Sequence, residues 1–156
     1  MSESVLDTDR VGSILTKDVV TVDPSDTLMT ALTKMLGENV GSLVVAEGRK
    51  PVGIVTERDI TRLCAKTGDL RCFEQKVKTV MSTPLVTVSS DTSVLEALEI
   101  MSGNSIRRLP VVKNNELYGI ITESDIVVWV LRETYKPNIP AHLKPLVEKI
   151  ERLQKL

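Results

Sequence analysis

GIVTERDI, at residues 53–60, is the stretch that decides the fold, because residues 119–126 repeat it as GIITESDI. The two copies lie 66 residues apart (119 − 53). Each copy begins with a glycine followed by a short run of apolar residues, which predicts a β-strand. Each then continues into Thr-x-x-Asp, which predicts a turn that starts a helix. We therefore expect two equivalent strand–turn–helix units.

The similarity extends well beyond these two stretches. A shift of 66 residues aligns 14–60 with 80–126 without a gap, and it pairs identical residues such as Val20 with Val86 and Ala31 with Ala97. Two copies are too few for a solenoid, which needs about three or more repeats. They instead predict two halves that pack face to face by pseudo-two-fold symmetry.

Each repeat predicts the same order of elements, β-α-β-β-α. The apolar spacing from Leu28 to Leu36 predicts an amphipathic helix, which Gly37 is expected to end. The first repeat predicts a strand at 19–22, a helix from 28, strands at 42–46 and 51–55 and a helix at 56–66. The second repeat predicts a strand at 85–88, a helix at 93–102, strands at 109–112 and 117–121 and a helix at 123–133. The fold class is therefore α/β in the broad sense, or α+β, with a helical extension at the C-terminus.

The Thr-x-x-Asp turn has two interpretations. In the first, Thr56 and Thr122 are N-caps, and Asp59 and Asp125 at the third helical position complete a variant of the capping box. In the second, the turn is part of a nucleotide pocket. Unpaired N–H groups at a helix N-terminus then attract an anion, and the carboxylate accepts hydrogen bonds from a ribose diol.

Composition and charge exclude several classes of protein. The net charge of −1 and the pI of about 5.9 are not those of a basic protein that binds nucleic acid. No apolar run approaches the roughly 20 residues of a membrane span. Residues 1–10 are acidic and polar, so we expect no signal peptide and a cytoplasmic protein. Cys64 and Cys72 are accordingly expected to be reduced rather than bonded or metal-bound.

At these residues the chain resembles a known family. The paired Gly-x-x-Thr-x-x-Asp motifs, the stretch IRRLPVV at 106–112 and the leader segments 11–16 and 77–82 are similar to a tandem pair of CBS (cystathionine β-synthase) domains, or Bateman module. The resemblance divides the chain into a flexible N-terminus (1–10), repeat 1 (11–66), a linker (67–76), repeat 2 (77–134) and a helical tail (135–156). It implies AMP, ADP, ATP or S-adenosylmethionine as ligands in clefts between the repeats, and it implies homodimers.

The first pocket that the resemblance implies combines an acid from one repeat with basic residues from the other. The carboxylate is expected to hold the ribose, and the guanidinium groups are expected to hold phosphate, since their planar fork donates two parallel bonds. The predicted residues of this pocket are Ser13, Thr16, Lys17, Val19, Thr56, Arg58, Asp59, Arg107 and Arg108. For the two arginines alone, a solvated strand edge is the competing interpretation.

The second pocket departs from the family pattern. Gly41 and Ser42 stand where the first pocket has its arginines, and they carry no charge, so we expect weaker binding there. Its predicted residues are Thr79, Ser82, Leu85, Ser42, Thr122, Ser124 and Asp125. The alternative is that Thr122 and Asp125 serve only as caps.

The last predicted helix of repeat 2 is apolar on every side around Val127 and Trp129, so it needs cover. A two-fold partner is one explanation, and a tail that folds back is the other. From Lys136 the tail carries five basic and two acidic residues, and we expect its helix to pack on protein rather than on nucleic acid.

No residues suggest catalysis. His142 stands alone in the tail, and the chain has no P-loop, no GxGxxG and no metal-ligand spacing. The expected function is therefore an adenine-nucleotide sensor that signals to a regulated partner protein, with no required cofactor. A ligand-independent dimeric scaffold and an S-adenosylmethionine sensor are the alternatives.

Overall fold

The computed structural model describes residues 9–135 and 137–154, and in that part each repeat forms one three-stranded sheet. The strand orders are β1-β2-β3 and β4-β5-β6, in which β1 and β4 run parallel to their neighbours. The strands are β1 (Thr21–Val22), β2 (Ser42–Glu47), β3 (Lys50–Thr56), β4 (Val88–Ser89), β5 (Arg108–Lys113) and β6 (Glu116–Thr122). The predicted strands at 19–22 and 85–88 have the wrong bounds, since β1 covers only Thr21–Val22 and β4 covers Val88–Ser89.

Five α-helices accompany the sheets in the described residues. They are α1 (Leu28–Glu38), α2 (Glu57–Thr67), α3 (Val94–Asn104), α4 (Glu123–Thr134) and α5 (Lys144–Gln154). Short 3-10 helices cover Val11–Ser13, Leu70–Glu74 and Val77–Thr79. The predicted α+β class with a C-terminal helix is confirmed. No helix in the described residues is both long and apolar enough to cross a membrane.

The predicted end of α1 at Gly37 is wrong. The helix continues to Glu38, and Asn39 ends it in the left-handed conformation with φ 57°. Asn tolerates this conformation better than most residues because its short side chain hydrogen-bonds locally. Ser105, which is 66 residues further on, ends α3 in the same way with φ 53°.

The chain divides into two compact units that do not follow the order of the sequence. Among the described residues, unit 1 contains 9–17, 87–114, 118–135 and 137–154, and unit 2 contains 18–86 and 115–117. In unit 2 a core of Leu28, Met35, Val45 and Val55 lies between α1 and the sheet, each residue fully buried. The counterparts in unit 1 include Val94, Val111 and Ile121, which are also fully buried.

The first leader lies in unit 1, with elements of the second repeat. The Val11 N–H donates to the Thr92 carbonyl at 2.9 Å. Thr16 and Ile120 exchange two backbone hydrogen bonds, each 2.9 Å long, so this leader adds a short antiparallel bridge to β6. Repeat 1, predicted as residues 11–66, therefore contributes its leader to the other unit.

The second leader lies in unit 2 and makes the equivalent contacts. The Val77 N–H donates to the Asp26 carbonyl at 2.9 Å, and the Ser82 N–H donates to the Ile54 carbonyl at 2.8 Å. Each of these residues lies 66 positions from its counterpart in the first set. The same exchange of leaders thus occurs twice, once in each unit.

The expectation of reduced cysteines is wrong. Cys64, near the end of α2, forms a disulfide with Cys72 of the 3-10 helix that follows, and their Cα atoms lie 5.3 Å apart. Gly68 ends α2 with φ 66°, and Asp69 caps the next turn, so the chain reverses within the sequence separation of eight between the two cysteines. Disulfides are uncommon in reducing cytosol. The cytoplasmic location therefore stays a prediction.

The tail folds back onto α4, which is one of the two explanations left open by the sequence. Helix α5 packs on α4, and its Val147 is buried. The α4 residue Val127 remains 42% exposed, so α5 does not cover the whole helix.

A methyl group at Gly119 is expected to push the first leader away from β6. A Cβ there would meet the Leu15 Cδ1 atom at 2.5 Å and the Thr16 carbonyl oxygen at 2.7 Å. Gly119→Ala should therefore lower the free energy of unfolding by about 1–2 kcal/mol, the lower part of the overpacking range. Urea unfolding measures this loss.

Gly37→Ala is the matched control. This exposed helical glycine has nothing within 4 Å of the added Cβ, so the substitution should stabilise by about 0.5–1 kcal/mol. Equal effects at the two glycines would contradict a close approach of the leader at Gly119.

Candidate functional site

Both Thr-x-x-Asp turns form complete capping boxes. In unit 2, the Thr56 N–H donates to the Asp59 carboxylate at 2.8 Å, and the Asp59 N–H donates to the Thr56 hydroxyl oxygen at 3.2 Å. In unit 1, the corresponding distances between Thr122 and Asp125 are 2.8 and 3.1 Å. The capping interpretation is thus confirmed for both helices, α2 and α4.

These turns leave few backbone donors for an anion. The Glu57 N–H donates to the Gly41 carbonyl at 3.1 Å, and the Glu123 N–H donates to the Arg107 carbonyl at 2.9 Å. The amides of the cap, the first position and the third position therefore all have acceptors within the protein. A bound anion would therefore rely mainly on side chains.

Asp59 keeps a carboxylate oxygen for other partners. Its Oδ2 atom accepts the Thr56 N–H and also the Thr56 hydroxyl, at 2.8 and 2.9 Å. Among the residues that the structure describes, its Oδ1 atom has no donor. The half-buried side chain is thus held in one orientation by one oxygen, with the other left to accept hydrogen bonds.

Each leader lies beside the strand that feeds one of these turns. Thr16 pairs with Ile120, two residues before Thr122, and Ser82 pairs with Ile54, two residues before Thr56. The structure therefore groups the first leader with the Asp125 turn and the second leader with the Asp59 turn. The sequence analysis had grouped them the other way, because it kept each leader with its own repeat.

The predicted arginines lie in unit 1 beside the Glu123 end of α4. Arg107 is mostly exposed, and its Nε atom lies 3.9 Å from the Glu123 carboxylate. Arg108, the first residue of β5, is half-buried. Burial lowers the pKa of Arg108 from its ordinary value, and repulsion from the Arg107 charge adds to this shift. Arginine nevertheless stays protonated at neutral pH.

Lysine and tyrosine side chains cluster close to the first leader. The Lys17 ammonium lies 5.4 Å from the centre of the Tyr118 ring, and that of Lys113 lies 5.2 Å from it. Both distances suit cation–π interactions, so the charge of the predicted site residue Lys17 already has the Tyr118 ring as a partner.

For the other predicted site residues, the structure gives their exposure and the unit in which they lie, and for Thr79 a hydrogen bond. The Thr79 hydroxyl donates to the Lys76 carbonyl at 2.6 Å and closes its own turn. Arg58 is exposed, and four residues are half-buried, namely Val19, Ser42, Leu85 and Ser124. Val19, Ser42 and Leu85 lie in unit 2 with the Asp59 turn, whereas Ser124 lies in unit 1.

A cavity of about 340 Å³ opens beside the second turn, within unit 1. This volume is within the range of about 300–1,000 Å³ for small-molecule sites. The cavity is lined by Ser13, Ile14, Asp125, Val128, Trp129, Arg132 and Glu151. It joins the predicted site residues Ser13 and Asp125, which the sequence analysis had assigned to different pockets.

The sequence analysis missed the other polar residues of this cavity. Trp129 and Arg132 follow Asp125 at helical spacing (i+4 and i+7), so they share its face of α4, and this signal could have found them. Glu151 comes from α5, and no local pattern places it there. Within the described residues, no group of three or more His, Cys, Asp or Glu side chains is arranged to hold a metal ion.

Comparison with known proteins identifies the family. The CBS domain model matches twice, at residues 11–66 and 77–132. A Methanocaldococcus jannaschii protein without an assigned function is 35% identical over 133 residues, which cover 78% of this chain but only 32% of that protein. The chain thus spans about a third of that relative.

Two solved structures extend the likeness to the fold. One is the M. jannaschii protein MJ1225, described as a proposed archaeal homologue of γ-AMPK. It is 26% identical with a TM-score of 0.72, over 80% of this chain and 48% of that one. The other is the CBS domain pair of protein MJ0100, in complex with 5′-methylthioadenosine and S-adenosyl-L-methionine. It is 25% identical with a TM-score of 0.70, over 80% of this chain and 98% of that one. The chain therefore belongs to the CBS domain family, as a tandem pair of CBS domains, a module that is generally regulatory rather than catalytic.

Proposed function

We propose that this CBS pair binds an adenosine ligand at its two Thr-x-x-Asp turns and passes the signal to a separate partner protein. The observation that carries the proposal is the fixed carboxylate of Asp59. One of its oxygens is bound by Thr56 at 2.8 and 2.9 Å, which leaves the other to accept ribose hydroxyls. The ligand class is AMP, ADP or ATP, with S-adenosylmethionine as the second candidate.

The arrangement within each unit supports a ribose contact at the turn. A carboxylate that is already oriented loses little freedom when it accepts a hydrogen bond from the ligand. The exchanged leader lies within two residues of the strand end in both units, so Ser82 and Thr16 are placed to supply further polar contacts. We accordingly propose Ser82 beside Asp59, and Thr16 beside Asp125, as ligand-contacting residues.

The basic residues suit the phosphate end of such a ligand. The mostly exposed guanidinium of Arg107 forms a 3.9 Å ion pair with Glu123. Exposed pairs of this kind contribute about 0–1 kcal/mol, so a phosphate competes with Glu123 at little cost. Arg58, Arg108 and Lys17 are the other basic residues that we propose for this role.

A similar solved structure gives separate support for an adenosine ligand. The MJ0100 structure holds two adenosine-containing molecules, and this chain aligns with 98% of it. That complex is the specific reason for testing S-adenosylmethionine beside the nucleotides. We also propose a homodimer in which Val127, 42% exposed on α4, is part of the contact. Sedimentation of the full chain at several concentrations checks the dimer.

A thermal-shift screen of AMP, ADP, ATP and S-adenosylmethionine tests the proposed function. A ligand that binds only the folded protein stabilises it by about 2.7 kcal/mol at one hundred times its Kd. At least one of the four should raise the Tm in a concentration-dependent way. If none does, and calorimetry detects no binding, the nucleotide proposal fails and the ligand-independent scaffold becomes the better account.

A further inference from the structure

The cavity in unit 1 contains an ion pair that the family resemblance does not cover. Arg132 of α4 contacts Glu151 of α5 through its guanidinium, and both side chains line the cavity together with Asp125. Helix α5 lies beyond residue 132, where the second family match ends. The contact therefore involves a helix that lies outside the two matched CBS domains.

Asp125, Trp129 and Arg132 occupy one face of α4 and offer three kinds of chemistry to a ligand. The carboxylate accepts hydroxyl groups, the indole provides an apolar face, and the guanidinium binds an anion. Asp125 and Arg132 are seven residues apart, about 10 Å along the helix axis. Both side chains line the same cavity, so one ligand can reach the Asp125 carboxylate and the Arg132 guanidinium together. This spacing suits a sugar phosphate whose hydroxyls contact Asp125.

The Glu151 carboxylate lies beside the Arg132 guanidinium, where the anionic group of such a ligand would bind. Its carboxylate engages the Arg132 guanidinium, and carboxylate and phosphate use the same donors. The side chains of Arg132 and Glu151 are 56% and 35% exposed, so water weakens their attraction. A phosphate, which carries more charge than a carboxylate at neutral pH, therefore competes well for Arg132.

We propose that Glu151 blocks Arg132, and that the phosphate of an adenosine ligand held at Asp125 displaces it and loosens α5 from α4. The C-terminal helix would then report occupancy of this site to a partner protein. The proposal rests on the proposed function, since it needs an adenosine ligand at the second turn. It also predicts weaker binding there, because the anion must first displace a carboxylate of the same chain.

Hydrogen exchange of the full chain, with AMP and with adenosine, tests the proposal. Amide exchange within Lys144–Gln154 reports the release of α5, and the fluorescence of Trp129, the single tryptophan, reports occupancy of the cavity. AMP should change the fluorescence and speed this exchange. Adenosine, which lacks the phosphate, should leave the exchange of α5 unchanged.

Two matched variants complete the experiment. Glu151→Gln should raise exchange in α5 without ligand and should strengthen AMP binding at the cavity by up to about fivefold, as expected for an exposed ion pair. Glu148→Gln removes an exposed carboxylate from the same helix, and it should change neither quantity.

The outcomes separate this proposal from the proposed function. Binding of AMP with unchanged α5 exchange overturns the displacement of Glu151 and leaves the nucleotide function standing. The same holds if Glu151→Gln and Glu148→Gln behave alike. Failure of every adenosine ligand to bind by calorimetry overturns both.

Discussion

Asp59→Ala is expected to weaken the binding of AMP by about 1.5–3 kcal/mol, the range for a hydrogen bond to a charged group. This corresponds to a rise in Kd of about ten- to 150-fold. The reason is that Asp59 offers its second oxygen from a side chain already fixed by Thr56. Alanine keeps neither the acceptor nor the orientation. Isothermal titration calorimetry of the wild type and the variant measures the difference.

The loss of the cap must be separated from the loss of binding. Removing Asp59 also opens the capping box of α2, which should cost about 0.5–2 kcal/mol of stability. Urea unfolding measures that cost, so the titrations are run where both proteins are folded. Asp91→Ala, at an exposed turn before α3, is the control and should bind AMP like the wild type. Undiminished affinity in Asp59→Ala would remove this residue from the site.

Reduction of the Cys64–Cys72 disulfide is expected to lower the free energy of unfolding by about 2–3 kcal/mol. The bond closes a loop with a sequence separation of eight residues, and the chain-entropy model assigns a loss of this size to its opening. The bond also ties the end of α2 to the segment that leads into the second leader. Urea unfolding with and without a reductant measures the effect.

The double variant Cys64→Ala/Cys72→Ala is the control, because its unfolding should not respond to the reductant. A thiol assay before each experiment confirms whether the wild-type disulfide has formed. Equal unfolding midpoints in the oxidised and reduced wild type would show that the bond contributes no stability.

The features that the sequence predicted well are local or repeated. Thr56 caps Asp59 only three residues away, so neighbouring residues alone determine the geometry of the turn. The 66-residue repeat then lets the order β-α-β-β-α and the capped turn of one half be predicted for the other half. The predicted end of α1 is wrong because the helix continues through Gly37 to Glu38, and Asn39 takes up the left-handed conformation.

The features that the sequence missed depend on contacts between distant parts of the chain. The pairing of Thr16 with Ile120 spans more than one hundred residues, and no local pattern distinguishes it from pairing within the leader's own repeat. The disulfide required the chain reversal at Gly68, and the contact between Arg132 and Glu151 required the tail to fold back. The leader pairing and the contact between Arg132 and Glu151 change the composition of the candidate site.

The most direct test of ligand binding at the two turns is a nitrogen-15 NMR titration of the full chain with AMP. The account predicts that the largest amide shift changes occur at residues 56–59 and 122–125, and at Ser82 and Thr16 in the leaders beside them. Saturating AMP that leaves these amides unshifted, or that shifts amides only at unrelated positions on the surface, would contradict the account.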